Sequence, residues 1–178
     1  MEVISKLKDT KGSLQIGAVA VLLLFFMMLS AVMESMKLKS ITQGVGDIVQ
    51  QAVLSAAADK AYNAYNGVRE GNTAAADYTD NWYDNVATTD VQYKLNSLLN
   101  LANNGGKYIK TSPDGKTQFA LYNLNVQYDN PPVASFSNDT RLSFVTTFVL
   151  EVPMSFAGGY LMPYKKTMTV RSEYIPLY

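Results

Sequence analysis

Four aspartates, Asp77, Asp80, Asp84 and Asp90, form the densest set of oxygen ligands in the chain, and clustered carboxylates are what calcium takes. An EF-hand loop also needs acidic or amide side chains at alternating positions, a central glycine and a closing glutamate. Residues 80–90 supply neither glycine nor glutamate, so the four read as helix caps or a solvated face. Gly44-Val45-Gly46 is too little for a phosphate loop, because it sits inside a helical pattern with no strand before it. The chain has no cysteine and no histidine, which removes zinc centres and every mechanism that needs an imidazole or a thiolate. No Ser/Lys pair stands at a helix start on a recognisable scaffold. The sequence therefore reads as a non-enzyme, with no catalytic, cofactor-binding or metal-ligating residues. Asn138-Asp139-Thr140 matches the N-glycosylation triplet, a pattern that arises often by chance.

Charge narrows the partners further. Fifteen basic residues balance fifteen acidic ones, and no basic run interleaved with aromatics exists to neutralise phosphates, so nucleic acid is set aside as a partner. Without cysteine, stability must come from packing alone. Twelve tyrosines with a single tryptophan fit a surface-exposed β domain.

One long helix must position everything else. Residues 14–33 carry no charge, and at 1.5 Å per residue about 20 helical residues span the roughly 30 Å of a bilayer's hydrocarbon core. Lys6, Lys8 and Lys11 precede that run, which predicts a cytoplasmic N-terminus and an extracytoplasmic remainder. A secretory signal peptide shares this layout, but its apolar region is shorter and ends in a small-x-small cleavage site, which Ser30-Ala31-Val32-Met33-Glu34 does not offer. The helix is expected to run unbroken from about residue 11 to 68. Past Met33 the apolar positions Ile41, Val45, Ile48, Val49, Ala52, Val53, Ala56 and Ala57 recur at intervals of mostly three and four. Gly44 and Gly46 mark an expected bend or close helix contact. The alanine-dense face of residues 52–64 is smooth enough for either the chain's own domain or a neighbouring subunit to pack on. Gly71 is placed as the C-terminal cap.

Residues 74–87 are mixed, with Tyr78, Trp82, Tyr83 and Val86 as pinning side chains. Thr88-Thr89-Asp90 predicts the start of a second helix over residues 91–102, apolar along Val91, Leu95, Leu98, Leu99 and Ala102 and ended by Asn103-Asn104-Gly105-Gly106. Strands follow. Pro113-Asp114-Gly115 between residues 108–110 and 117–119 signals a hairpin. Ala120, Tyr122, Leu124, Val126 and Tyr128 are expected on one face, and Asp129-Asn130-Pro131-Pro132 breaks that strand. Leu142, Phe144, Phe148, Leu150 and Val152 alternate with polar residues, and after a Gly158-Gly159 turn so do Tyr160, Met162, Tyr164, Met168, Val170 and Tyr174. The expected class is α+β: a long N-terminal helix, transmembrane then amphipathic, packed on one face of a small C-terminal antiparallel β-sheet. Its parts are a cytoplasmic leader at 1–12, a transmembrane helix at 13–33, an amphipathic stalk at 34–70 and an extracytoplasmic α+β domain at 71–178.

Lys11-Gly12-Ser13 ahead of the apolar helix, and the strand pair at 148–153 and 167–173 joined by a Pro/Gly-rich connection, resemble the type IV pilin superfamily. Within it the likeness is to TadE-like minor pilins of tight-adherence pili. The resemblance implies a membrane-anchored pilus or pseudopilus subunit that is cut between Gly12 and Ser13 by a prepilin peptidase and works with an assembly platform and sister pilin-like subunits. Membrane lipid is the other implied partner. Ile16, Gly17, Val21, Leu24, Leu29 and Ala31 would be its helix-packing positions. One departure bears on the role: Gly17 occupies the fifth mature position, where pilins usually carry a glutamate, which points to a minor subunit. Two other classes fit the layout, a single-pass protein presenting a binding or sensory domain and an accessory component of a conjugation or secretion machine. The expected address is the cell membrane, single-pass, with assembly into a surface filament on the pilin reading.

Overall fold

A computed structural model describes residues 10–69, 86–128, 141–156 and 159–175. The expectations placed on the leader before Thr10, on Gly71, Asp77, Tyr78, Asp80, Trp82, Tyr83 and Asp84, on the break at Asp129-Asn130-Pro131-Pro132, and on Asn138-Asp139-Thr140 lie outside those residues. Helix α1 covers Thr10–Arg69, 60 residues without interruption, so Gly12 and Ser13 fall inside its first turns. At 1.5 Å per residue it is about 90 Å long. No residue between Ser13 and Arg69 is a proline, and the apolar stripe continues past the charges at Glu34, Lys37 and Lys39, so nothing in the sequence stops it.

Five strands form one antiparallel sheet in the order β1 (Ala102–Asn104), β2 (Lys107–Thr111), β3 (Thr117–Tyr128), β4 (Leu142–Val152) and β7 (Tyr164–Tyr174). A separate two-residue pair, β5 (Ser155–Phe156) and β6 (Gly159–Tyr160), lies in the connection between β4 and β7. The ladder between β4 and β7 runs without a shift from Leu142↔Tyr174 to Val152↔Tyr164. Burial along β4 alternates at every residue, with Leu142, Phe144, Thr146, Phe148, Leu150 and Val152 inward. This is the period-two pattern expected of a sheet covered on one face.

The cover has two pieces. Helix α1 lies against β7 and β4 and brings Val45, Val49, Ala52, Val53, Ala56 and Ala57 to complete burial beside Phe144 and Phe148. A second helix, α2 (Thr88–Leu99), packs on α1 and β3 through Val91, Leu95 and Leu99. Two ion pairs tie the helices together, Lys94 to Asp59 and Lys60 to Asp90 at 3.2 Å. Asp90 also accepts the Ala87 backbone N–H at 3.0 Å and so holds the N-terminus of α2.

Several expectations change here. On the alanine face of α1, Ala52, Ala56 and Ala57 are buried in the chain's own core. Gly46, marked with Gly44 as an expected bend or close helix contact, faces the sheet, where a Cβ would meet Met168 Cε at 3.6 Å, and the helix runs on through both glycines. Helix α2 stops at Leu99, because Asn100 turns left-handed at φ 50°, and Ala102 becomes the first residue of an edge strand. Leu98 stays 47% exposed. In β3 the expected faces exchange midway. Between Tyr122 and Asn125 the strand carries one residue more than its partner, and Asn123 takes φ 55°. Phe119 and Leu121 therefore point inward before the bulge, and Leu124 and Val126 after it. Tyr160 and Met162 are 88% and 87% exposed, outside the sheet altogether.

Two hydroxyls, Thr146 Oγ1 and Ser172 Oγ, are buried in the core-facing layer with no hydrogen-bond partner. An unpaired buried hydroxyl costs about 1–3 kcal/mol. Thr146→Val is expected to raise the stability of the detergent-solubilised chain by about 1 kcal/mol, read as a higher denaturation midpoint. Ala52→Leu is expected to lower it by about 1–3 kcal/mol through overpacking against the sheet. An unchanged midpoint for Ala52→Leu would mean that the sheet does not press on this face.

Candidate functional site: the uncovered helix and the end of the domain beside it

The packing of α1 divides at residues 34–38. Above that level its inward face is buried by the sheet; below it, among the described residues, no other element packs on it. Residues 15–33 are exposed along their length apart from half-buried Ser30, including Ile16 at 73% and Phe25 at 63%. This stretch makes the helix long and apolar enough to cross a membrane, and its apolar window is not buried inside the protein as a soluble core helix would be.

The expected packing residues are spread over this exposed segment. At 100° per residue, Gly17, Val21, Leu24 and Ala31 fall within an arc of about 80°; Ile16 lies about 60° to one side and Leu29 about 80° to the other. Among the described residues, all six are exposed and none is buried against another element. Gly17, Ala18, Val21, Leu22 and Phe25 line a shallow apolar depression, where the small residues lower the helix surface. A Cβ added at Gly17 would meet nothing within 4 Å. Gly12 and Ser13 are helical in backbone, upstream of this stripe.

The domain end next to this segment is built from two turns. One is the connection from β4 to β7, which leaves the sheet at Pro153. Its Ser155 N–H donates to Glu34 Oε1 on α1 at 3.1 Å, and Glu34 is also paired with Lys37 at 3.3 Å. The Leu161 N–H donates to the Met154 carbonyl at 3.0 Å and closes the small loop that carries β5 and β6. The other is the β2–β3 turn, where Gly115 takes φ 77°. The two turns and the helix enclose an open cleft lined by Lys37, Asp114, Lys116, Pro153, Met154 and Tyr160. Hydrogen bonds from the Ser112 hydroxyl and the Lys116 backbone N–H hold the Asp114 carboxyl below the usual aspartate range. Nearby on the sheet, Glu151 bridges Lys107 at 2.8 Å and Lys165 at 3.8 Å, and Lys107 lies 5.0 Å over the Tyr122 ring. The Glu151 hydrogen bond pushes the Lys107 ammonium above its usual range.

The sequence reading missed this end of the domain. From sequence alone Glu34 marks only the end of the uncharged run, and Tyr160 and Met162 fit the alternation of the strand that follows. The available signal was Pro153 and Pro163, which bracket the run and keep it out of the ladder.

The Asp114 turn gives a pH test with a definite sign. A carboxyl whose folded pKa is depressed contributes stability above its unfolded value, near 4, and loses it as pH falls through the folded value. Wild type should therefore exceed Asp114→Asn in stability at neutral pH. That difference should shrink as pH drops below about 4 and vanish once Asp114 is protonated in both states. A difference that persists undiminished at low pH would assign the effect to the turn's backbone instead of to the charge.

No family model, no curated protein and no solved structure matches this chain.

Proposed function

We propose that the protein is a membrane-anchored, pilin-like structural subunit of a type IV or tight-adherence filament system, in a minor role. One observation carries the reading. A single unbroken helix has an upper part whose inward stripe is covered by its own sheet and a lower part that is apolar and, among the described residues, left uncovered. An ordinary anchor needs only the lower part. A subunit stored in a membrane and then packed helix-to-helix needs a rigid connection between the apolar segment and its head, and the buried stripe from Val45 to Ala57 supplies it. The lysines before the apolar run orient the N-terminus to the cytoplasm, and Lys11-Gly12-Ser13 offers the peptidase its site. Membrane lipid, sister pilin-like subunits, a platform protein and a prepilin peptidase are the partners of this reading, and its address is the cell membrane with a surface filament beyond it.

The open cleft beside Lys37 and Tyr160 favours a second reading, a single-pass protein whose outer domain holds a ligand. The two readings separate on what surrounds residues 15–33. Cysteines introduced one at a time at Gly17 and Ala31 should crosslink to a copy of the chain or to a pilin-like neighbour in native membranes. Intact mass of assembled material should show the chain starting at Ser13. A monomer at both positions, with the leader retained, would sink the filament reading in favour of the anchored binder.

A further inference from the structure

The run from the last residue of β6 onward presents three consecutive apolar side chains to solvent: Tyr160 at 88%, Leu161 at 52% and Met162 at 87% exposed. A small domain of this size has every opportunity to turn such residues inward, and its own core takes Phe144, Phe148 and Leu150 to complete burial. What sets these three apart is their height on α1. The Ser155–Glu34 hydrogen bond pins their loop to the helix one residue past Met33, the last residue of the uncharged run. At 1.5 Å per residue the loop is level with the end of the apolar helix to within about one turn. Met33 and Met36 of α1, 65% and 66% exposed, are at the same level.

Resting on the reading of residues 14–33 as a membrane span, we propose that Tyr160-Leu161-Met162 is a second membrane contact, seated in the polar–apolar boundary of the bilayer that holds α1. Its occupant is the lipid interface and not a protein. Continuity with the apolar helix is the first argument. The second is the chemistry of the rim: an aromatic with a polar tip suits the headgroup level, and Lys37 and Lys116 line the adjoining cleft where phosphates would lie. The third is Glu34. A carboxylate at the end of a membrane helix is costly unless it is satisfied, and this one, 16% exposed, already accepts the Ser155 N–H and pairs with Lys37. The loop so held gives the domain two points of attachment to the surface, which fixes its rotation about the helix axis.

The absence of cysteine allows single nitroxide labels on the full chain. Labels at Met162→Cys and Tyr160→Cys would be read in proteoliposomes of phosphatidylethanolamine and phosphatidylglycerol by power saturation with oxygen and with a water-soluble nickel relaxant. Phe25→Cys serves as the helix control and Tyr93→Cys, 74% exposed on α2, as the solvent control. The expected result is a several-fold higher ratio of oxygen to nickel accessibility at 160 and 162 than at 93, approaching that at 25. If 25 is lipid-facing while 160 and 162 match 93, the proposal is overturned and the membrane span stands. If 25 itself matches 93, the span fails and the proposal with it. Shielding at 160 and 162 accompanied by spin–spin broadening that disappears on dilution with unlabelled protein would identify a second copy as the occupant and would also overturn it.

Discussion

The contact between the stripe Val45-Val49-Ala52-Val53-Ala56-Ala57 and the inner face of β4 and β7 is the interaction on which the structure depends. An antiparallel sheet with one apolar face cannot stand alone in water, and a helix of 60 residues cannot hold itself straight by propensity. Each supplies what the other lacks. Small residues on the helix let it approach the sheet, so that Phe144 and Phe148 of β4, rather than large helix side chains, fill the space between them. Helix α2 then closes what α1 leaves open over β3, held by charges at its rim and by Val91, Leu95 and Leu99 beneath.

That division of labour goes with a change in the pattern of the helix along its length. Between Leu14 and Met33 it carries no charge and is apolar on nearly every side, the composition of a segment able to cross a membrane. Above it, the buried apolar residues gather on the sheet-facing stripe, and Gln43, Asp47 and Gln51 lie exposed outside it. The change of pattern coincides with Glu34, where the domain's loop first touches the helix. The opposite face of the sheet stays partly open. Its edge strand β7 carries Lys165, Lys166 and Arg171, charges that discourage another strand from adding to it.

The parts of this architecture that obey a single period were legible in the sequence. In the helix, apolar periodicity and the absence of proline foretell an unbroken run past Met33, and in β4 every second residue is apolar and inward except Thr146. The failures lie where one residue breaks a period. Asn123 inserts a bulge, and from a strand that reads as clean alternation no pattern count could tell that the inward face passes from Leu121 to Leu124. Asn100 ends α2 early because an asparagine tolerates the left-handed region, which makes it a stop signal as good as the glycines five residues on. Tyr160 and Met162 fit the alternation of the following strand, yet the prolines on either side of their run exclude it from the ladder. At the candidate site, the apolar helix was evident; the domain end beside it depends on a contact across 121 residues, Glu34 to Ser155, which no local pattern encodes.

The continuity of α1 also has a mechanical side. Because the same helix passes from the apolar segment into the core, a force applied to its lower end reaches the sheet with no linker to absorb it. Traction along the helix axis loads the stripe from Val45 to Ala57 in shear, across many small contacts at once, while the β4–β7 ladder beneath is bound along its full eleven pairs. The close approach that the alanines allow is therefore also the surface through which such a load passes into the sheet.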